Sequence, residues 1–92
     1  MIKTFNCRDT ETLFETGKTK KFAPIAKVAK RKLLLLDAAT IVKDLRIPPG
    51  NRLKTLLGDR AGQYSIRINN QFRICFSWEG SDANDVEIVD YH

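Results

Sequence analysis

The residues able to do chemistry gather in the second half of the chain. The only histidine, His92, follows Asp90 and Tyr91 in "EIVDYH", while Arg67 and Arg73 sit in "QYSIRINNQFRICFSW" and Lys54 and Arg60 in "NRLKTLLGDR". Four cations, a phenol and an imidazole suit the cleavage of a phosphodiester. Attack by an RNA 2′-hydroxyl on the adjacent phosphorus needs a base for that proton, an acid for the departing 5′-oxygen and cations for the developing charge. An unperturbed imidazole titrates at about pH 6.5 and can fill either proton-transfer role. A phenol, at about pH 10, is a weaker base, and two close arginines favour its phenolate. The planar guanidinium of arginine holds two phosphate oxygens at once. The same residues also fit ordinary roles: a solvated histidine, a tyrosine at a sheet edge, and solubilising charge at Lys54 and Arg60. Spacing by itself leaves both readings open.

These residues are positioned by elements that the pattern makes visible. At 92 residues the chain is expected to form one domain spanning 1–92, burying about two-thirds of its unfolded surface. Sixteen Lys and Arg against eleven Asp and Glu give a net charge of +5, which fits a polyanionic partner such as nucleic acid, though many small basic domains bind nothing in particular. Cys7 and Cys75 form no CxxC pair and have no second histidine beside them, so both are expected to be reduced, with no metal and no cofactor. The start "MIKTFNCRDT" has no apolar leader and no run approaches the roughly 20 residues that span a bilayer, which implies a cytoplasmic protein without a membrane partner.

Ile2 to Phe5 reads as a short strand. Asp9 or Thr10 is expected to cap a short helix carrying Leu13 and Phe14, with Gly17 at its end. From Phe22 to Ala39 the apolar positions Phe22, Ile25, Ala26, Ala29, Leu33 and Leu36 form one helical stripe, with Lys27 and Arg31 projecting from the other side. Leu34 falls near those cations, where it could touch a partner protein or be incidentally exposed. A helical turn is expected around Ala39 to Leu45, and Pro48-Pro49-Gly50 then breaks the chain.

Beyond the break the period changes to two. A three-residue loop at Asn69-Asn70-Gln71 pairs Ile66 with Ile74 and Tyr64 with Phe76 on one apolar face, whereas a two-residue loop would mix the faces. The chosen register sets Arg67 opposite Arg73, a repulsion that an anion would relieve or that two splayed, solvated arginines would avoid. Glu79 to Ala83 is expected to form a polar turn before a last strand from Val86 to Tyr91. Pairing Phe76 with Val86 and Ile74 with Ile88 puts Arg73, Glu87, Val89 and Tyr91 on the other face, with Tyr91 diagonal to Arg73.

Taken together, "PPGNRL", "GDRAGQYSIRINNQFRICFSW" and "VEIVDYH" closely resemble the HigB family of toxins, the plasmid-maintenance killer type of the RelE superfamily. The likeness extends through "MIKTF", "LFETGKTKK" and "LLDAAT". It implies an α+β, RelE-like fold with two N-terminal helices packed on a small, mostly antiparallel β-sheet. It also implies a type II toxin: a metal-free endoribonuclease that cuts messenger RNA in the ribosomal decoding site and arrests growth, leaving a 2′,3′-cyclic phosphate and a 5′-hydroxyl. The implied partners are a HigA-like helix-turn-helix antitoxin, the ribosome with its messenger RNA, and operator DNA bound through the antitoxin complex.

By position, the arginine of the family's "WRI(C/T)F" corresponds to Arg73, implied to clamp the scissile phosphate. The family's "DYH" corresponds to Asp90, Tyr91 and His92: a positioning carboxylate, a residue that stacks on or orients the substrate, and an acid or base. Arg60 and Arg67 fit RNA contacts, and Lys27, Arg31 and Leu34 are candidates for the antitoxin surface. Many members read "LKGDR" where this chain has Leu56-Leu57-Gly58-Asp59-Arg60, so Leu57 stands in place of a lysine thought to assist catalysis. In a strand, Lys54 would point to the opposite face from Leu57 and could not replace it directly. A weaker or differently tuned nuclease follows, and the alternative is a module that binds RNA or the ribosome and blocks translation without cutting.

Overall fold

A computed structural model describes residues 1–91. Helix α1 (Arg8–Thr16) is followed by a 3₁₀ turn, Ala23–Ile25, that runs directly into α2 (Ala26–Ala38). Two further 3₁₀ turns, Val42–Arg46 and Pro49–Asn51, lead to β1 (Lys54–Thr55), and a fourth, Gly58–Arg60, leads to β2 (Gln63–Arg67), β3 (Phe72–Glu79) and β4 (Asp82–Asp90). The strands form one antiparallel sheet in the order β1-β2-β3-β4, so the α+β class holds. Among the described residues, no helix is long and apolar enough to cross a membrane.

The helices differ from expectation mainly at their starts. Helix α1 is capped by Cys7, whose backbone is extended and whose side chain makes no capping bond. Neither Asp9 nor Thr10 is the cap, because both side chains have tertiary partners: the Thr10 hydroxyl accepts the Ile88 N–H at 3.0 Å, and the Asp9 carboxylate accepts the Thr19 hydroxyl at 3.4 Å. Gly17 does end α1, at φ +77°, and its N–H reaches the Leu13 carbonyl. The α2 stripe packs as its spacing requires, with Ala29, Leu33 and Leu36 fully buried in one cluster with Leu13, Ile66, Ile74, Phe76 and Val86. Fixed-φ Pro24 sits in the 3₁₀ turn ahead of α2, where its missing N–H costs nothing.

The register of β2 on β3 pairs Tyr64 with Phe76, Ile66 with Ile74 and Arg67 with Arg73, as the three-residue loop demands. On β4 the pairing of Ile74 with Ile88 holds, but the ladder shifts by one residue between Cys75 and Ser77. Phe76 therefore faces a bulge instead of pairing with Val86, and Asp85 takes φ +53° there. The bulge lengthens β4, which starts at Asp82, and shortens the turn to Gly80-Ser81 between the paired Glu79 and Asp82. Ile2 and Phe5 form only single parallel bridges, to Ala83 and Val86, because the bulged segment between those residues turns its Asp85 N–H onto the Thr4 hydroxyl.

Candidate active site

Strand alternation that buries Ile66, Ile74 and Ile88 against the helices turns their neighbours to the other side of the sheet. Two rows result: Lys54, Ser65, Cys75 and Glu87 in one, and Arg67, Arg73 and Val89 in the next. Ser65 and Cys75 are fully buried, and Arg73 is 7% exposed, so this polar face is covered where it meets the arginine.

Arg73 is the most constrained cation of the face. Its Nε donates to the Ser65 hydroxyl at 2.7 Å, and its Nη2 donates to the Arg52 carbonyl at 2.6 Å and the Ser65 carbonyl at 3.3 Å. Among the described residues, Nη1 is the one nitrogen of this guanidinium without a hydrogen-bond partner. Burial lowers the pKa of Arg73, Tyr91 and Cys75 oppose that shift, and Arg67 and Arg52 add to it. The Arg52 carbonyl is aimed by a left-handed backbone at φ +45°, a conformation that costs a non-glycine residue about 1–2 kcal/mol. Repulsion between the paired Arg67 and Arg73 is reduced by divergence: Arg73 turns towards Ser65, and Arg67 donates to Asn70 in the hairpin loop.

Tyr91 lies across this cation cluster. The Lys54 ammonium sits 5.1 Å from the centre of its ring and the Arg73 guanidinium carbon 5.9 Å, contacts that favour the ring staying over the face. Its backbone N–H donates to the Gln71 carbonyl at 2.7 Å, and the residue is 40% exposed. Arg60 reaches the same face from its 3₁₀ turn but is engaged by Glu87 at 2.8 Å and Gln63 at 3.0 Å, and its pKa is raised first by that carboxylate. Asn6 donates to the other Glu87 oxygen at 3.3 Å. Burial pushes the Cys75 thiol up, against the pull of Arg60, Arg73 and Lys54.

Arg73, Tyr91 and Lys54 are thus brought together, whereas the other sequence candidates are distributed differently. Arg67 and Arg60 share the face with protein partners of their own. Asp90 falls on the opposite side of β4, opposite Phe72, and accepts from the Gln71 side chain at 3.0 Å, so it holds the residue whose carbonyl takes Tyr91. Lys27, Arg31 and Leu34 are exposed on α2, in the layer that packs against the other face of the sheet. Leu57 is 86% exposed and precedes the 3₁₀ turn instead of continuing β1, so strand alternation does not relate it to Lys54. His92 lies outside the described residues. Sequence reasoning missed Ser65, the Arg52 carbonyl and the Glu87 partner of Arg60. Ser65 could have been found, because the register that sets Arg67 against Arg73 also places Ser65 diagonal to Arg73.

Residues 3–92 match a family model described as a HigB-like toxin, the RelE-like toxin of the type II toxin-antitoxin system HigB. Over 80 residues the chain is 42% identical to Toxin HigB-1 of Vibrio cholerae serotype O1, covering 85% of this chain and 84% of that protein. An alignment of 94 residues with Endoribonuclease HigB of Proteus vulgaris gives 34% identity and covers 100% of both. The fold also superposes on a chain of the YoeB-YefM complex from Staphylococcus aureus, with a TM-score of 0.58, 17% identity and coverage of 100% of this chain and 98% of that one.

Proposed function

The chain belongs to the HigB-like family of RelE-like toxins of type II toxin-antitoxin systems, and from that premise we propose that it is a single-domain endoribonuclease cutting messenger RNA in the ribosomal decoding site. The observation that carries this reading is Arg73: a nearly buried guanidinium, held on two sides by Ser65 and Arg52, with Nη1 unpaired among the described residues and with the Tyr91 ring, itself under Lys54, close by.

In the reaction, the 2′-oxygen of one nucleotide forms a bond to the neighbouring phosphorus as the bond from phosphorus to the 5′-oxygen breaks. The 2′-hydroxyl proton goes to a base, and the leaving oxygen takes a proton from an acid. Arg73 offers the two N–H groups of Nη1 to a non-bridging oxygen whose charge grows in the transition state, a preorganised donor of the kind worth about 10²–10³ in rate. Lys54 adds a second cation, and Tyr91 supplies a ring for a base to stack on and a phenol within the cluster. His92 provides the acid or the base. Asp90 acts at one remove, through Gln71. The cations of the face supply the charge that a metal would otherwise provide, so the chemistry asks for no metal and ends in a 2′,3′-cyclic phosphate and a 5′-hydroxyl.

Function in a toxin-antitoxin pair places the protein in the cytoplasm with a helix-turn-helix antitoxin, through which the complex reaches operator DNA. The outward face of α2, with Lys27, Arg31 and Leu34, lies away from the cation face and is free to hold such a partner while the site stays open. Arg60 and Arg67 are left to steer RNA or the ribosome. The test is addition of purified protein to programmed ribosomes and to the same messenger RNA naked, with 5′-end mapping for wild type and for a His92 deletion. Cleavage confined to the ribosome and lost with His92 is the expected outcome. Intact message despite tight ribosome binding would instead establish the non-cutting alternative, favoured by exposed Leu57 standing where many relatives have lysine.

A further inference from the structure

Arg73 is braced from behind by a buried polar chain that begins in the opposite layer of the molecule. Lys32 on α2 is 8% exposed, and its ammonium donates to the Oδ1 of Asn51, which is fully buried. The Asn51 amide nitrogen donates to the carbonyls of Leu45 at 3.1 Å and Ile47 at 3.3 Å, closing the loop between the two 3₁₀ turns. The next residue is Arg52, with its left-handed backbone and its carbonyl 2.6 Å from Arg73 Nη2. Burial lowers the pKa of Lys32, and Arg31 and Arg67 lower it further. A buried ammonium with one hydrogen-bond partner among the described residues is a poor device for stability, since apolar replacements of buried charged groups are often neutral or stabilising. Its effect is geometric instead: two hydrogen bonds from the Asn51 amide and one from the Lys32 ammonium tie the loop to α2.

We propose that Lys32 and Asn51 are positioning residues for Arg73, fixing the 45–52 loop so that the Arg52 carbonyl holds Nη2 and leaves Nη1 facing the scissile phosphate. The role rests on the nuclease reading of the cation face, and it adds a residue from α2 that no part of that reading requires. Displacing a reacting group by about 1 Å costs up to about 10²-fold in rate, so a loosened loop acts on turnover before it acts on binding.

The test pairs Lys32→Met with Asn51→Asp, which keeps the oxygen acceptor but loses both amide donors. Each variant is assayed for melting temperature, for kcat and KM on programmed ribosomes, and for the ¹⁵N–¹H resonance of Arg73 Nε. Both are expected to remain folded, to lose about tenfold in kcat with KM within about twofold, and to shift or broaden the Arg73 Nε signal. In an Arg73→Lys background, which already lacks the planar fork, Lys32→Met is expected to add little, because residues acting as a unit are non-additive. An unmoved Nε signal, or losses that multiply in that background, overturns the proposal. Failure of the wild type to cleave would sink the nuclease reading alone, since the resonance reports the brace without any RNA.

Discussion

The two faces of the β-sheet are both buried at their centres and are held by different physics. On one, Ile66, Ile74, Phe76 and Val86 are fully covered by the helices, and non-directional burial of apolar area does the holding. On the other, Ser65, Cys75 and Arg73 are covered almost as completely, but there each polar atom needs a partner in a particular direction. A core residue can be exchanged for another of similar volume at small cost. Arg73 cannot, because Ser65 and the Arg52 carbonyl lose their donor with it. Burial therefore does not distinguish a core from a site in this molecule; the directionality of the contacts does.

That contrast yields outcomes that can break it. Phe76→Ala should lose about 3–5 kcal/mol of stability in urea unfolding, with cleavage by the folded fraction little changed. Arg73→Ala should slow cleavage by about 10²–10³-fold with a smaller stability loss; equal damage to stability from both would erase the difference between the faces. Ser65→Ala strands the Arg73 Nε–H, a cost of about 1–3 kcal/mol, and should slow cleavage less than Arg73→Ala. Lys54→Ala tests whether the Tyr91 contact matters for chemistry: a loss as severe as that of Arg73→Ala would make Lys54 catalytic, and a small loss would leave it an RNA contact.

The smallest effect concerns pH. Because burial raises the Cys75 pKa, the folded chain keeps this proton at pH values where an unfolded thiol releases it. The associated stability is fully present below the unfolded thiol's pKa and is lost as pH rises through the folded value. Alkaline unfolding curves should flatten in Cys75→Ala. Near neutral pH, a thiol reagent should modify half-buried Cys7 well before Cys75.

Much of the site face was legible from the register, because the hairpin loop length fixes which side chains share a face. The opposition of Arg67 and Arg73 follows from it, and the approach of Tyr91 to Arg73 follows from the pairing of Ile74 with Ile88 in the last strand. The Asp85 bulge was not legible, since alternation continues on either side of it and its extra residue is polar. Nor was the hold on Arg73 by Arg52, which depends on a loop built from two 3₁₀ turns and a left-handed residue, none of which carries a period. Lys32 was hidden for a related reason: a lysine between Arg31 and Leu33 reads as surface charge until the loop it anchors is placed.

The most direct measurement is single-turnover cleavage of a defined message on programmed ribosomes by wild type and Arg73→Ala at saturating protein, with ribosome binding measured in parallel. Binding within a few-fold and cleavage slower by about 10²–10³-fold is the expected result. Equal cleavage rates for the two proteins would contradict the assignment of Arg73 as the residue that stabilises the reacting phosphate.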